Sequence, residues 1–187
     1  MMRVFCAIEI PSEIRDQAAQ HIKLLRDSFP RARASWERAA KMHLTLKFLG
    51  EITEKQLEKL NLAVINTTNS FQTFAISIEN TGAFPPRGVP RVLWLGVNDS
   101  TNALTTSQNK LEDECAKTGF KKEMRLFHPH LTLARLRSPE SAKELKEKHE
   151  SLKFKSASFT VSEIVIMQSE LAPTGSRYTK LYSHQLK

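Results

Sequence analysis

His43-Leu44-Thr45-Leu46 recurs, residue for residue, as His130-Leu131-Thr132-Leu133 in the second half of a chain of 187 residues. Side chains alternate between the two faces of a β-strand, so in each copy His and Thr share one face. The two Leu residues point the other way, into a core. Each copy therefore presents one imidazole and one hydroxyl in register, backed by apolar packing. Two such strands side by side would turn two histidines and two threonines towards one space. That constellation suits acid–base work on a phosphate ester and needs no metal. A single His on a strand is usually a packed or exposed structural residue. Chance recurrence of four specified residues in so short a chain is improbable, and it singles out this pair. The competing structural reading is a duplication whose His and Thr merely hydrogen-bond each other.

Both copies are embedded in positive charge. Arg31, Arg33, Arg38 and Lys41 lead into the first against Glu37. Lys117, Lys121, Lys122, Arg125, Arg135 and Arg137 surround the second against Glu123. With a net charge of +8 over the whole chain, these clusters point to an anionic substrate such as nucleic acid. The hydrophobic fraction of 40% is that of an ordinary globular protein, and no apolar run is long enough to span a bilayer. Glu9 within the short run Val4 to Ile10 argues for a buried strand rather than a secretory signal. Cys6 and Cys115 alone make neither a disulfide framework nor a zinc site, and reduced thiols in a cytoplasm are expected.

On the N-terminal side of the first copy, Val4 to Ile10 reads as a strand. Ser12 is placed to cap a helix with Ile14, Ala18, Ile22, Leu25 and Phe29 inward, ended by Pro30. The first motif strand runs over 43–49 and breaks at Gly50. Thr53 and Gln56 suit a capping box for a helix with Leu57, Leu60 and Val64 inward. Phe74, Ile76 and Ile78 alternate as a strand, Arg91 to Val97 forms another, and Pro85, Pro86, Gly88 and Pro90 make a stiff loop between them. A helix through Leu104, Leu111 and Cys115 ends at Gly119, the second motif strand covers 130–136, and Ser138-Pro139 opens a helix to about His149. From Phe154 the apolar parity changes near Ser162, which predicts a bulge or break there. The pattern is α+β with largely antiparallel sheets and an approximate two-fold repeat.

The remaining histidines carry less. His128-Pro129-His130 looks like a metal-ligand pair, yet zinc needs three or four ligands and no Cys, Asp or Glu cluster is near. His21, His149 and His184 read as structural.

The paired His-x-Thr motifs resemble those of the two-histidine phosphoesterase superfamily. Arg3 to Pro11, His43 to Gly50, Arg91 to Val97 and His128 to Arg135 together resemble its RNA 2′,3′-cyclic phosphodiesterases, first described as 2′-5′ RNA ligases. The likeness spans nearly the whole chain. It implies a single bilobal domain over 1–187, two antiparallel sheets with outer helices, pseudo-two-fold related, and an active-site groove between the lobes. It also implies hydrolysis of RNA 2′,3′-cyclic phosphate ends to 2′-phosphomonoesters, with reversible, ATP-independent 2′-5′ joining as a side activity. No metal or cofactor is implied. The expected partner is RNA with a cyclic phosphate end, tRNA halves among the candidates, and the expected state is a cytoplasmic monomer.

By resemblance His43 is the proton donor to the departing 3′ oxygen and His130 the base; the symmetry of the motifs leaves the two interchangeable on the residues alone. Thr45 and Thr132 would donate hydroxyls to nonbridging phosphate oxygens. Arg135 would clamp the phosphate with its guanidinium fork. Phe48, its equivalent in the first copy, could stack on a base or fill the core. On a flat strand Arg135 and Phe48 have the wrong parity and reach the groove only if the strands twist or end there. Lys47 has the right parity for an RNA backbone. Competing readings are an esterase of the same kind acting on 2′-5′ oligonucleotides or ADP-ribose cyclic phosphate, a non-catalytic RNA-binding protein and, weakest, a metal-dependent phosphatase.

Overall fold

The computed structural model describes residues 1–172 and 175–187. Its elements run β1 (Met2–Glu9), α1 (Ser12–Ser28), β2 (Ala34–Trp36), β3 (His43–Ile52), α2 (Glu54–Thr68), β4 (Phe74–Phe84), β5 (Val92–Asn98), α3 (Ala103–Lys117), β6 (His130–Leu136), α4 (Ala142–Ser151), β7 (Ala157–Val161), β8 (Glu163–Ala172) and β9 (Gly175–Gln185). They build two antiparallel sheets, one ordered β3-β1-β8-β9 and the other β2-β6-β5-β4-β7. This is the α+β architecture read from the sequence. The internal repeat is visible in the order β1-α1-β3-α2 and β5-α3-β6-α4, each with its motif strand antiparallel to the strand that opens the unit.

The motif strands β3 and β6 meet across the two sheets. Their inward Leu44, Leu46, Leu131 and Leu133 join Val4, Cys6, Ile8, Ile78 and Leu95 in one continuous core. Helices α2 and α3 pack on each other, while α1 and α4 pair and lie against β6 and β4 respectively. A buried strut locks the second pair. His21 Nε2 donates to His149 Nδ1 at 2.9 Å, and His149 Nε2 donates to the Trp94 carbonyl at 3.0 Å. Burial and the neighbouring His149 push His21 down to about 4, so the strut is built from neutral rings. Among the described residues no helix is long and apolar enough to cross a membrane.

Several expectations shift. Of the bulge or break expected near Ser162 the structure has the break, and it is also a change of sheet: β7 ends in one sheet at Val161 and β8 begins in the other at Glu163. Gly50, at φ +72°, bends β3 without ending it. Ser12 is the first helical residue and caps nothing with its side chain, whereas the Thr53–Gln56 capping box forms as expected. Helix α4 starts at Ala142, after Pro139 has made a preceding turn.

One buried ion pair crosses the core boundary: Lys47 Nζ lies 2.5 Å from Glu112, with both side chains 4% exposed. Removing one partner strands a charge where water cannot reach it. Lys47→Met is therefore expected to lower unfolding stability by about 3–5 kcal/mol, and adding Glu112→Leu to recover much of that loss. Denaturant unfolding of both variants measures this; equal stability of Lys47→Met and the unaltered protein would contradict it.

Candidate active site

Both motif strands carry an extra residue at the same place, and β3 has a second one at Leu49. In β3, Thr45 pairs with Ala7 and Lys47 with Cys6, leaving Leu46 unopposed; in β6, Thr132 pairs with Trp94 and Ala134 with Leu93, leaving Leu133 unopposed. A bulge of this kind interrupts the alternation of side chains. Leu46 and Lys47 are consequently both buried and Phe48 turns out, just as Leu133 and Ala134 are both buried and Arg135 turns out. The carbonyls that leave the ladder are satisfied elsewhere. Leu46 accepts from Gln108 Nε2 at 3.3 Å, and Leu133 accepts from the Glu37 amide at 2.7 Å.

The bulges gather His43, Thr45, Phe48, His130, Thr132 and Arg135 around one cleft of about 100 Å³. They also remove Lys47 from it. On a flat strand Lys47 shares the face of His43, but here it faces Glu112 in the core, and the sequence-based placement on the RNA backbone is corrected. The parity objection to Arg135 and Phe48 falls for the same reason.

Each catalytic candidate is held alike. His43 Nδ1 donates to the Lys41 carbonyl at 2.7 Å, and His130 Nδ1 donates to the His128 carbonyl at 2.7 Å. A carbonyl only accepts, so the proton sits on Nδ1 in both rings and Nε2 is the titrating atom. Aromatic rings fix their planes: Phe5 at 4.7 Å and Tyr178 edge-on at 5.2 Å beside His43, Phe84 edge-on at 5.0 Å beside His130. Trp94 packs 5.3 Å from His128, and a Cβ at Gly82 would fall 2.3 Å from its indole, so only glycine admits the ring there.

Burial holds His43 below its usual 6.5, with Arg135 adding to the effect and the Lys41 carbonyl opposing it. Burial also lowers His130, reinforced by His128 and Arg135 against the pull of the His128 carbonyl. One guanidinium thus stands close enough to act on both rings. The backbone of Arg135 is pinned on both sides, opposite Ser35 of β2 and Val92 of β5. Among the described residues no three His, Cys, Asp or Glu side chains converge on one point, His128 included.

Sequence reasoning gave no place in the site to Glu37, Lys41, Met42 and Tyr178, which complete the lining. Tyr178 comes from β9, whose run Arg177-Tyr178-Thr179-Lys180 lacks clean apolar alternation because this edge strand faces solvent along much of its length. Glu37 follows β2, a strand of three residues too short to leave a pattern.

If Arg135 grips a phosphate through two parallel N–H donors, Arg135→Lys keeps the charge and loses the fork. Calorimetry with a nucleoside monophosphate should then show affinity lower by about tenfold, roughly one strong hydrogen bond. Arg137→Lys, whose Nε bonds the Ser35 hydroxyl at 2.9 Å, should bind as the unaltered protein does. Equal affinities for all three would remove Arg135 from the anion site.

A family model described as the 2′-5′ RNA ligase superfamily matches residues 10–172. The RNA 2′,3′-cyclic phosphodiesterase of Thermotoga maritima is 33% identical, the alignment covering 100% of this chain and 96% of the relative. That of Escherichia coli is 30% identical over 96% and 93%. Among solved structures, Escherichia coli LigT complexed with 3′-AMP superposes with a TM-score of 0.75 at 29% identity, covering 99% of this chain and 98% of that one. A Thermus thermophilus structure shares the fold with a TM-score of 0.79 at 24% identity, over 99% and 98% of the two chains. The site's paired strands and these likenesses agree, and the chain belongs to the 2′-5′ RNA ligase superfamily.

Proposed function

We propose that this protein hydrolyses RNA 2′,3′-cyclic phosphate ends to 2′-phosphomonoesters by metal-independent acid–base catalysis. The observation that carries the reading is the matched seating of His43 and His130. Each has Nδ1 tied to a main-chain carbonyl, and both rings line one cleft with the guanidinium of Arg135. The curated relatives named RNA 2′,3′-cyclic phosphodiesterase support the substrate class.

In the proposed reaction His130 Nε2 takes a proton from water as the water oxygen attacks phosphorus. The bond from phosphorus to the 3′ oxygen breaks on the opposite side, and His43 Nε2 supplies the proton that makes this oxygen a hydroxyl. The phosphate stays on the 2′ oxygen. Thr45 and Thr132 donate to the nonbridging oxygens, where negative charge grows as the fifth bond forms, and Arg135 balances that charge. His128 favours the role given to His130, since its proximity is a further cause of a neutral ring there. A 5′-hydroxyl in place of water would give a 2′-5′ linkage by the same steps. One chain supplies every group, so a monomer suffices. A cytoplasmic setting suits the two free, buried thiols of Cys6 and Cys115.

The test is a short RNA ending in 2′,3′-cyclic phosphate, incubated with EDTA, followed by separation of 2′- from 3′-phosphate products. The expected product is the 2′-phosphate alone, with His43→Ala and His130→Ala each slower by about 10²-fold or more while remaining folded. A 3′-phosphate product, or dependence on added divalent metal, would contradict the proposal.

A further inference from the structure

Phe48, 62% exposed, lines two cavities rather than one. Beyond the histidine cleft lies a broader depression of about 480 Å³, walled by Leu49, Phe120, Lys121, Met124 and Arg125 among others. The reaction above makes no use of it. Its outer loop carries exposed apolar side chains, with Met124 86% and Leu126 96% open to solvent, interleaved with three cations, Lys121, Lys122 and Arg125, and one carboxylate, Glu123. Apolar platforms alternating with cations match what single-stranded nucleic acid offers, bases and phosphates in turn.

The loop has no regular secondary structure, yet it is tied down from below. Lys47, turned inward by the β3 bulge, donates to the Lys121 carbonyl at 3.0 Å as well as to Glu112. Glu112 in turn accepts from the Glu123 amide at 3.0 Å. The buried pair therefore holds two backbone groups of the loop and frees its side chains for the surface. Lys122 leans on Asp113 at 2.5 Å and Arg125 on Glu123 at 2.9 Å, whereas among the described residues Lys121 pairs with no carboxylate.

We propose that this depression is a second subsite, taking the nucleotides on the 5′ side of the terminal one. Lys121 and Arg125 hold their phosphates, Arg125 by exchanging its solvent-exposed pairing with Glu123 for the phosphate, and Met124 with the exposed ring of Phe48 lies against a base. The inference rests on the proposed reaction. A cyclic phosphate is the 3′ end of a strand, so a phosphorus held between the histidines obliges the rest of the strand to leave the cleft over one wall. Phe48 is shared by the cleft and the depression behind it, so a strand crossing this wall enters the depression directly.

The test uses the full chain and a Lys121→Glu/Arg125→Glu variant, which alters only surface side chains and leaves the Lys121 carbonyl in place. Turnover is measured on a mononucleoside 2′,3′-cyclic phosphate and on a short oligoribonucleotide with the same end, across a salt series. The variant should hydrolyse the mononucleotide unchanged and lose on the order of tenfold in kcat/KM on the oligonucleotide at low salt, with the gap closing as salt rises. Its binding should show a salt slope shallower by roughly one for each phosphate that is no longer neutralised. Equal losses on both substrates, or none on either, would overturn the subsite. If the unaltered protein hydrolyses neither substrate, the proposed reaction fails on its own account. The subsite is then judged by fluorescence anisotropy of the labelled oligonucleotide: weaker binding by the variant supports it, and equal binding overturns it. Equal RNA affinity with loss only of binding to phosphatidylserine vesicles would assign the loop to a membrane surface instead.

Discussion

Leu46 and Leu133 each stand unopposed in an antiparallel ladder, and the contents of the cleft depend on the change of face that follows each of them. Without the extra residue, alternation would place Lys47 and Ala134 beside the histidines and send Phe48 and Arg135 into the core. The site would then hold an alkyl ammonium where it has a ring, and a methyl group where it has a guanidinium. Each bulge is anchored by a bond from outside its ladder, from Gln108 on α3 to Leu46 and from the Glu37 amide to Leu133. The same displacement drives Lys47 onto Glu112, and that pair reaches out to hold the loop beyond Phe48. The same irregularity, made once in each motif strand, thus turns Arg135 and Phe48 towards the cleft and, through Lys47, seats a neighbouring surface loop.

Electrostatics inside the cleft follow from where Arg135 emerges. Its positive charge opposes protonation of both His43 and His130 and adds to the cost of burying them. An empty cleft therefore favours neutral rings. A bound phosphate would offset Arg135 and make one imidazolium easier to form, which couples the proton inventory to the anion. The two rings are not equivalent in this respect, since His128 bears on His130 while the corresponding place before His43 belongs to Lys41, whose ammonium donates to the Ser176 carbonyl.

Much of this was legible in the residues. The repeated tetrapeptide fixed which side chains share a face for all four of its positions, because alternation is a property of the backbone and holds until something interrupts it. It failed at the next position, Lys47 and Ala134, where the bulge held by Gln108 and Glu37 sets the register and no local pattern reports it. The parity break at Ser162 was visible, yet a change of sheet and a bulge leave the same trace in sequence. Helix α2 was read down to its capping box because Thr53 and Gln56 act within one turn. Strand β9 and its Tyr178 were invisible, since an edge strand open to water needs no apolar alternation.

The proposed reaction needs two histidines sharing one phosphate in opposite protonation states, and the pH dependence of kcat/KM tests this most directly. Both rings are held below 6.5, so the singly protonated pair is most abundant on the acid side of that value. The unaltered protein should give a bell with its maximum below 6.5, the two limbs belonging to the pair rather than to either ring. His43→Ala, lacking the acid, should keep only the acidic limb, where His130 becomes protonated; His130→Ala should keep only the alkaline limb. A profile that still rises through pH 8, or a bell of unchanged shape in either variant, would contradict the paired mechanism.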